Sequence, residues 1–174
     1  MALDYTTVQE KLAARFADEV KDFTTEFGML AFEAASTKNA EVMQFLRDEL
    51  GFNFLTDLCG VHYPDNTADR QLAVVYHMHN WVENVRVRFK VFLNGETPEV
   101  ESVTRLFNSA NWQERETYDF YGIIFTGHPD LKRILNMDEM VSFPLRKEFP
   151  LEDQGRTDKD DRYFGRIPAN ANQN

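Results

Sequence analysis

Cysteine is almost missing from this chain: Cys59 is the single thiol among 174 residues. One thiol closes no disulfide within the chain and cannot furnish a four-thiolate iron–sulfur or zinc site, so a reducing compartment is the simplest expectation. Glycine is sparse as well, with eight residues at positions 28, 51, 60, 95, 122, 127, 155 and 165. No two of them form a Gly-x-Gly pair, which removes the usual dinucleotide fingerprint and phosphate-cradling loop. Apolar runs fall far short of the roughly 20 residues that span a bilayer. The start, Met1-Ala-Leu-Asp-Tyr-Thr-Thr, lacks the basic region and apolar stretch of a secretory signal. Positive charge is also in deficit: 19 Lys and Arg stand against 29 Asp and Glu, a formal net charge of −10. That balance argues against nucleic acid or an anionic lipid surface as the main partner, although a local basic patch is compatible with it.

What remains is enough for one water-soluble folded body. Hydrophobic residues make up 43% of the chain and include 15 Phe, sufficient for a core at this length. Thr6 or Thr7 is placed to cap a helix whose apolar positions Val8, Leu12, Phe16, Val20 and Phe23 recur at helical spacing. Gly28 opens a strand over Met29–Ala35, and a second helix from Asn39 turns Val42, Met43, Leu46 and Leu50 inward until Gly51 stops it. Phe54–Tyr63 reads as a strand. Gln71–Asn80 and Asn84–Leu93 read as a hairpin, in which Val85, Val87, Phe89, Val91 and Leu93 face one way and Arg86, Arg88 and Lys90 the other. The second side of this sheet is therefore wet or lies against an acidic partner. Thr97-Pro98 predicts a third helix, with Val100, Val103, Leu106, Phe107 and Ala110 as its buried stripe. Asn111 and Glu114 suggest a capping box for a fourth, ending at Gly122.

These elements predict an α+β fold: a mostly antiparallel sheet, mixed if helix-linked strands pair in parallel, with helices on one face. Residues 1–122 form the expected folded domain and 123–151 an extended partner-docking arm, with a tail over 152–174 ordered mainly on assembly.

Few residues suggest chemistry. His77 and His79 point to one face of a strand, as metal pairs do, but H-x-H alone reads more simply as strand-face histidines. Glu114, Glu116, Asp119 and His128 contain the ingredients of an acid/base or metal cluster. Geometry divides it, because positions 114 and 116 diverge on a helix whereas 116 and 119 share a face, and ion pairing by Glu114-Arg115-Glu116 is the simpler reading. Gly127-His128-Pro129 is a turn. Between Phe143 and Leu151, Pro144 and Pro150 hold the backbone extended, so that Leu145, Phe149 and Leu151 can fill pockets while Arg146 meets a carboxylate.

Three blocks carry a resemblance: Glu114-Arg-Glu-x-x-Asp-x-Tyr-Gly-Ile, Phe125-x-Gly-His-Pro-x-Leu-x-Arg-Ile-Leu and Pro144-Leu-Arg-Lys-x-Phe-Pro-Leu. Together they resemble the signature of the C subunit, or 30-kDa-type subunit, of proton-translocating NADH:quinone oxidoreductase, respiratory complex I. With the upstream strands, the likeness extends over most of residues 25–151. The resemblance implies a subunit of the peripheral arm, in the quinone-reducing module, against the 49-kDa-type large subunit and near the iron–sulfur subunit. It implies no catalytic, metal or cofactor-binding residue in this chain, with iron–sulfur clusters, FMN and quinone held by partner subunits. NADH oxidation, quinone reduction and proton translocation would then belong to the assembled complex, and the isolated chain would have no activity.

Carried over by position, Glu114, Arg115, Glu116, Asp119, His128, Pro129, Arg133, Pro144, Leu145, Arg146, Lys147, Phe149 and Pro150 are expected to bind partners, with Arg133 and Arg146 as interface cations. Gly122 and Gly127 are expected to be structural turns. The chain looks like a short bacterial-type form, which implies the cytoplasmic side of the plasma membrane, reached only through the complex. Two alternatives stand beside this: the equivalent subunit of a related complex with another donor, of membrane-bound hydrogenase type, and a stand-alone metal-dependent enzyme using His128 with Glu114, Glu116 and Asp119.

Overall fold

A computed structural model describes residues 3–149. The expectations for Pro150, Leu151 and the 152–174 tail lie outside the described residues. The first helix, α1 (Tyr5–Phe16), is capped by Asp4, whose carboxylate accepts the amide of Thr7 at 2.7 Å, in place of a threonine cap. Val20 and Phe23 do not extend this helix. The chain reverses at Ala17 (φ 46°), and both residues join β1 (Val20–Glu26). Val8, Leu12, Phe16 and Val20 still share one core. Their spacing stays in step across the turn, so hydrophobic periodicity alone cannot show where the helix stops.

β1 forms a hairpin with β2 (Met29–Ala34). α2 (Asn39–Leu50) follows and closes on Gly51, left-handed at φ 73°. Next come β3 (Phe54–His62), β4 (Leu72–Asn80) and β5 (Val85–Leu93). The five strands are ordered β1-β2-β5-β4-β3, antiparallel except where β2 lies parallel to β5. The fold is therefore α+β with a mixed, mostly antiparallel sheet. One face is the core, where the rings of Phe32, Phe89 and Tyr76 stack in succession at 5.3 and 4.7 Å between centroids. α1 and α2 add Val8, Leu12, Val42, Met43 and Leu46 to it.

The third helix does not form. The segment after Pro98 makes β6 (Glu99–Glu101), with Val100 buried in the core. β6 pairs in parallel with β7 (Ile124–Thr126), a partner more than 20 residues downstream that local spacing cannot reveal. Regular structure thus continues beyond Gly122, and Ile123 and Phe125 are core residues. The last helix among the described residues, α3 (Ala110–Tyr121), ends on Gly122 at φ 73°. It begins without a side-chain cap, so the proposed Asn111/Glu114 capping box is absent. α3 lies against β3, where a Cβ on Gly60 would stand 2.5 Å from the Tyr121 ring. Among the described residues no helix is long and apolar enough to cross a membrane.

Candidate functional site

Buried polar side chains concentrate on α3. Glu114, Arg115, Thr117 and Asp119 are all buried, an expensive arrangement unless every group is bonded. Glu114 turns away from its own helix terminus to the loop after β6: Oε1 accepts the amide of Val103 and Oε2 the Ser102 hydroxyl, each at 2.7 Å. Burial pushes its carboxyl up to about 7, with the bonds from Ser102 and Val103 acting in the other direction.

Asp119 organises the segment that follows. Its Oδ2 accepts the backbone amides of Ile134, Leu135 and Asn136 at 3.1, 2.8 and 2.9 Å. Oδ1 accepts Arg133 Nη1 at 2.7 Å and Asn136 Nδ2 at 3.0 Å. Burial pushes this carboxyl upward. The amides of Asn136 and Leu135, with the side chains of Arg133 and Asn136, outweigh that effect and hold it well below the usual carboxylate range. Asp119 is therefore a charged anchor rather than a proton donor.

Arg133 extends the same network. Its side chain is 7% exposed, and besides Asp119 it donates to the carbonyls of Met140 and Ser142. Its guanidinium lies 5.2 Å from the Phe143 ring centroid, and that of Arg146 lies 5.0 Å from the same ring. Arg146 Nε donates to the Tyr121 carbonyl at 2.7 Å, and the Leu145 amide to the Phe120 carbonyl at 3.2 Å. Both bonds fall on carbonyls that the end of α3 leaves without helical partners. Arg115 completes the lattice by donating to the carbonyls of Lys132 and Arg133 at 3.1 and 3.2 Å.

The turn at Gly127 is clamped in the same manner. His128 Nδ1 accepts the amide of Asp130 at 3.0 Å, which places the ring proton on Nε2, 3.2 Å from the Asn111 carbonyl. Pro129 and Glu116 are exposed, and the Lys147 amide donates to His62 Nδ1 at 2.9 Å. The imagined catalytic quartet is thus dispersed: Glu114 holds the 102–103 loop, Asp119 the 133–136 turn and His128 its own turn, while Glu116 faces solvent. His77 and His79 also part company, His77 lying 3.7 Å from Asp57 and His79 3.2 Å from Asn84. Among the described residues no three His, Cys, Asp or Glu side chains are grouped as a metal ion requires.

Arg133 and Arg146, expected as cations at an interface, make their bonds within the chain. The 133–149 segment presents apolar side chains outward, interspersed with exposed charges such as Asp138 and Glu139. Leu135, Met137 and Val141 are 65, 74 and 94% exposed, and Leu145 and Phe149 are also exposed. Sequence reasoning missed Leu135, Met137 and Val141, along with Asn136 as a ligand of Asp119. The available signal was an apolar series without helical or strand period in a segment flanked by Gly and Pro.

Residues 32–155, which contain all of the Asp119 lattice, match the family model described as respiratory-chain NADH dehydrogenase, 30 Kd subunit. The C subunit of NADH-quinone oxidoreductase from Roseiflexus sp. (strain RS-1) is 41% identical over 172 residues, covering 97% of this chain and 98% of the relative. The C 2 subunit of NADH-quinone oxidoreductase from Rhizobium etli (strain CIAT 652) is 40% identical over 162 residues, covering 91% and 83%. Among solved structures, the trypsin-resistant fragment of Nqo5 aligns with a TM-score of 0.61 at 32% identity, over 71% of this chain and 98% of that one. A chain of the membrane-bound sulfane sulfur reductase, an archaeal respiratory membrane complex, aligns with a TM-score of 0.70 over 84% of this chain and 85% of its own. At 19% identity that second likeness is one of fold alone.

Proposed function

We propose, from the premise that the chain belongs to the 30-kDa subunit family of respiratory-chain NADH dehydrogenase and forms part of the NADH:quinone oxidoreductase complex, that its own contribution is structural. It carries no redox group and supports electron transfer from NADH to quinone, coupled to proton translocation, by holding neighbouring subunits in place. Its neighbours are the 49-kDa-type large subunit and the iron–sulfur subunit of the quinone-reducing module. FMN, iron–sulfur clusters and quinone reside in partner subunits. The chain reaches the cytoplasmic side of the plasma membrane peripherally, through the complex.

The observation that carries this reading is the lattice around Asp119. Five hydrogen bonds to one buried carboxylate fix a segment without helix or strand, and that segment turns Leu135, Met137 and Val141 into solvent. Apolar side chains held rigidly outward lose little freedom on binding, as a docking surface requires. Arg133 and Arg146 serve by positioning this surface. Glu116, Pro129, Lys147 and Phe149 lie exposed and within reach of a partner.

The test is an affinity pull-down of tagged chain from gently solubilised membranes, with mass spectrometry and NADH:quinone activity measured on the eluate. Recovery of large-subunit and iron–sulfur-subunit relatives with that activity is expected. Recovery of the chain alone with a tightly bound metal would contradict the structural role, and activity with another donor but not NADH would reassign the complex.

A further inference from the structure

The lattice after α3 is one outward surface; the sheet carries a second on the side opposite the core. Along β5 the residues facing the core are buried, whereas Arg86 is exposed and Arg88, Lys90 and Phe92 are half-buried. Register sets these side chains in rows with the neighbouring strands. Arg86 is opposite His79, itself opposite Phe54; Arg88 lies between Ala31 and His77; Lys90 lies between Glu33 and Val75. Among the described residues, burial alternates along β2 and β5, which leaves their second side partly open to solvent, whereas β4 beside them is buried on both sides except at His77.

The face is charged against the sign of the molecule. The chain as a whole is −10, yet the column Arg86, Arg88 and Lys90 is cationic. Two carboxylates share the face: Glu33 pairs with Arg70 at 2.8 Å, while Asp57, half exposed at the border of the adjoining groove, lies 3.7 Å from His77, whose burial favours its neutral form. Among the described residues none of the three cations forms an ion pair, and Arg88 Nε is buried without a hydrogen-bond partner. An unbonded buried donor of this kind is uncommon and costly. The end of the face is aromatic, with Trp81 packed on Phe54 at 5.5 Å and on His79 at 4.6 Å. Beside it opens a groove of about 560 Å³ bordered by Phe27, Met29, Thr56, His77, Asn84 and Arg86. Phe27 stands 95% exposed on its rim.

We propose that this sheet face docks an acidic amphipathic helix from another subunit of the same complex, its carboxylates meeting Arg86, Arg88 and Lys90 and an apolar side chain entering the groove beside Phe27. The partner's chemistry follows from the face. Cations two residues apart on a strand repeat at about 6.8 Å. Carboxylates four apart on a helix repeat at about 6 Å, and a helix is the element that ordinarily covers a sheet. Three cations on a chain of net charge −10 are too few for a nucleic acid or an anionic bilayer, which need an extended basic surface, but they match the few carboxylates on one face of a helix. The proposal rests on the subunit reading above, and its test separates the two.

Carbodiimide coupling of the intact, gently solubilised complex joins a lysine amine directly to a carboxylate in contact with it. The expected product links Lys90 to an Asp or Glu of another subunit. In the double variant Arg86→Glu/Arg88→Glu, retention of that subunit through a salt wash should fall on the order of tenfold, with recovery when the coupled carboxylate is exchanged for lysine. Circular dichroism of the full chain checks the fold of this variant, and Arg86→Gln/Arg88→Gln, with a smaller expected loss, replaces it if it misfolds. Coupling of Lys90 only to a second copy of this chain, or only to its own 152–174 segment, would overturn the proposal, as would absence of the product with undiminished assembly of the variants. If the wild-type chain brings down no NADH:quinone oxidoreductase, the subunit reading and this inference fall together; if it brings down the complex without the Lys90 product, only the inference falls.

Discussion

Asp119 and Glu114 lie on one helix, both fully buried, yet their carboxyls shift in opposite directions because of the donors each can reach. Asp119 meets donors on both oxygens, so Asp119→Asn would turn an amide NH₂ toward either the backbone amides or Arg133. With Arg133 left unpaired in a nearly buried position, we expect a loss of about 3–5 kcal/mol in urea unfolding of the chain, accompanied by faster proteolysis of the 133–149 segment. The acid limb should change too. Because the native carboxyl lies below its ordinary 3.8, its contribution is present above that value and is lost as pH falls further. Glu114 has the reverse sign. The native group binds its proton more tightly than the unfolded one, so its contribution is complete below 4.5 and is lost as pH rises through about 7. Glu114→Gln keeps an acceptor for the Val103 amide and removes the titration. Wild-type stability relative to this variant should therefore fall by on the order of 3 kcal/mol between those limits, measured by paired denaturation curves across pH. The types of these residues were legible in sequence. Their roles were not, because the donors around Asp119 are mostly backbone amides, which every non-proline residue carries and no motif identifies.

At the scale of elements, agreement followed the range of the forces. α2, the β4–β5 hairpin and β2 were readable because an apolar stripe, a glycine stop or a short connection is encoded within a dozen residues. β1 and β6 were misread as helix. Each carries apolar residues at helical spacing, and pairing with another strand overrides a local preference worth a fraction of a kcal/mol per residue. The contact of α3 with β3 is of the same long-range kind and depends on Gly60. A Cβ there would stand 2.5 Å from Tyr121 Cδ2 and 3.0 Å from Thr117 Cγ2, both side chains of the helix. Gly60→Ala should cost about 1–3 kcal/mol through overpacking and speed hydrogen exchange in α3 before the central strands. Unchanged unfolding and unchanged α3 protection would show that the helix shifts freely on the sheet.

For the molecule as a whole, the structure separates what stabilises the chain from what it presents. Leu135 and Val141 contribute little to the core, so Leu135→Ser with Val141→Ser should leave unfolding of the isolated chain within about 0.5 kcal/mol of wild type. The same variant should lower recovery of assembled complex on a native gel of solubilised membranes; full recovery would place the docking surface elsewhere. The amino-acid sequence alone determined the α+β class, the alternation of the central hairpin and the cationic column of β5. It also carried the three blocks that mark the family, since side-chain type and short-range spacing are written directly in the chain. The parallel β2–β5 and β6–β7 pairings, the burial of Glu114 and the closing of the 133–146 segment onto Asp119 were decided only in the tertiary structure. Each joins groups far apart in sequence through backbone hydrogen bonds, and their partners are chosen by the packed geometry rather than by residue type.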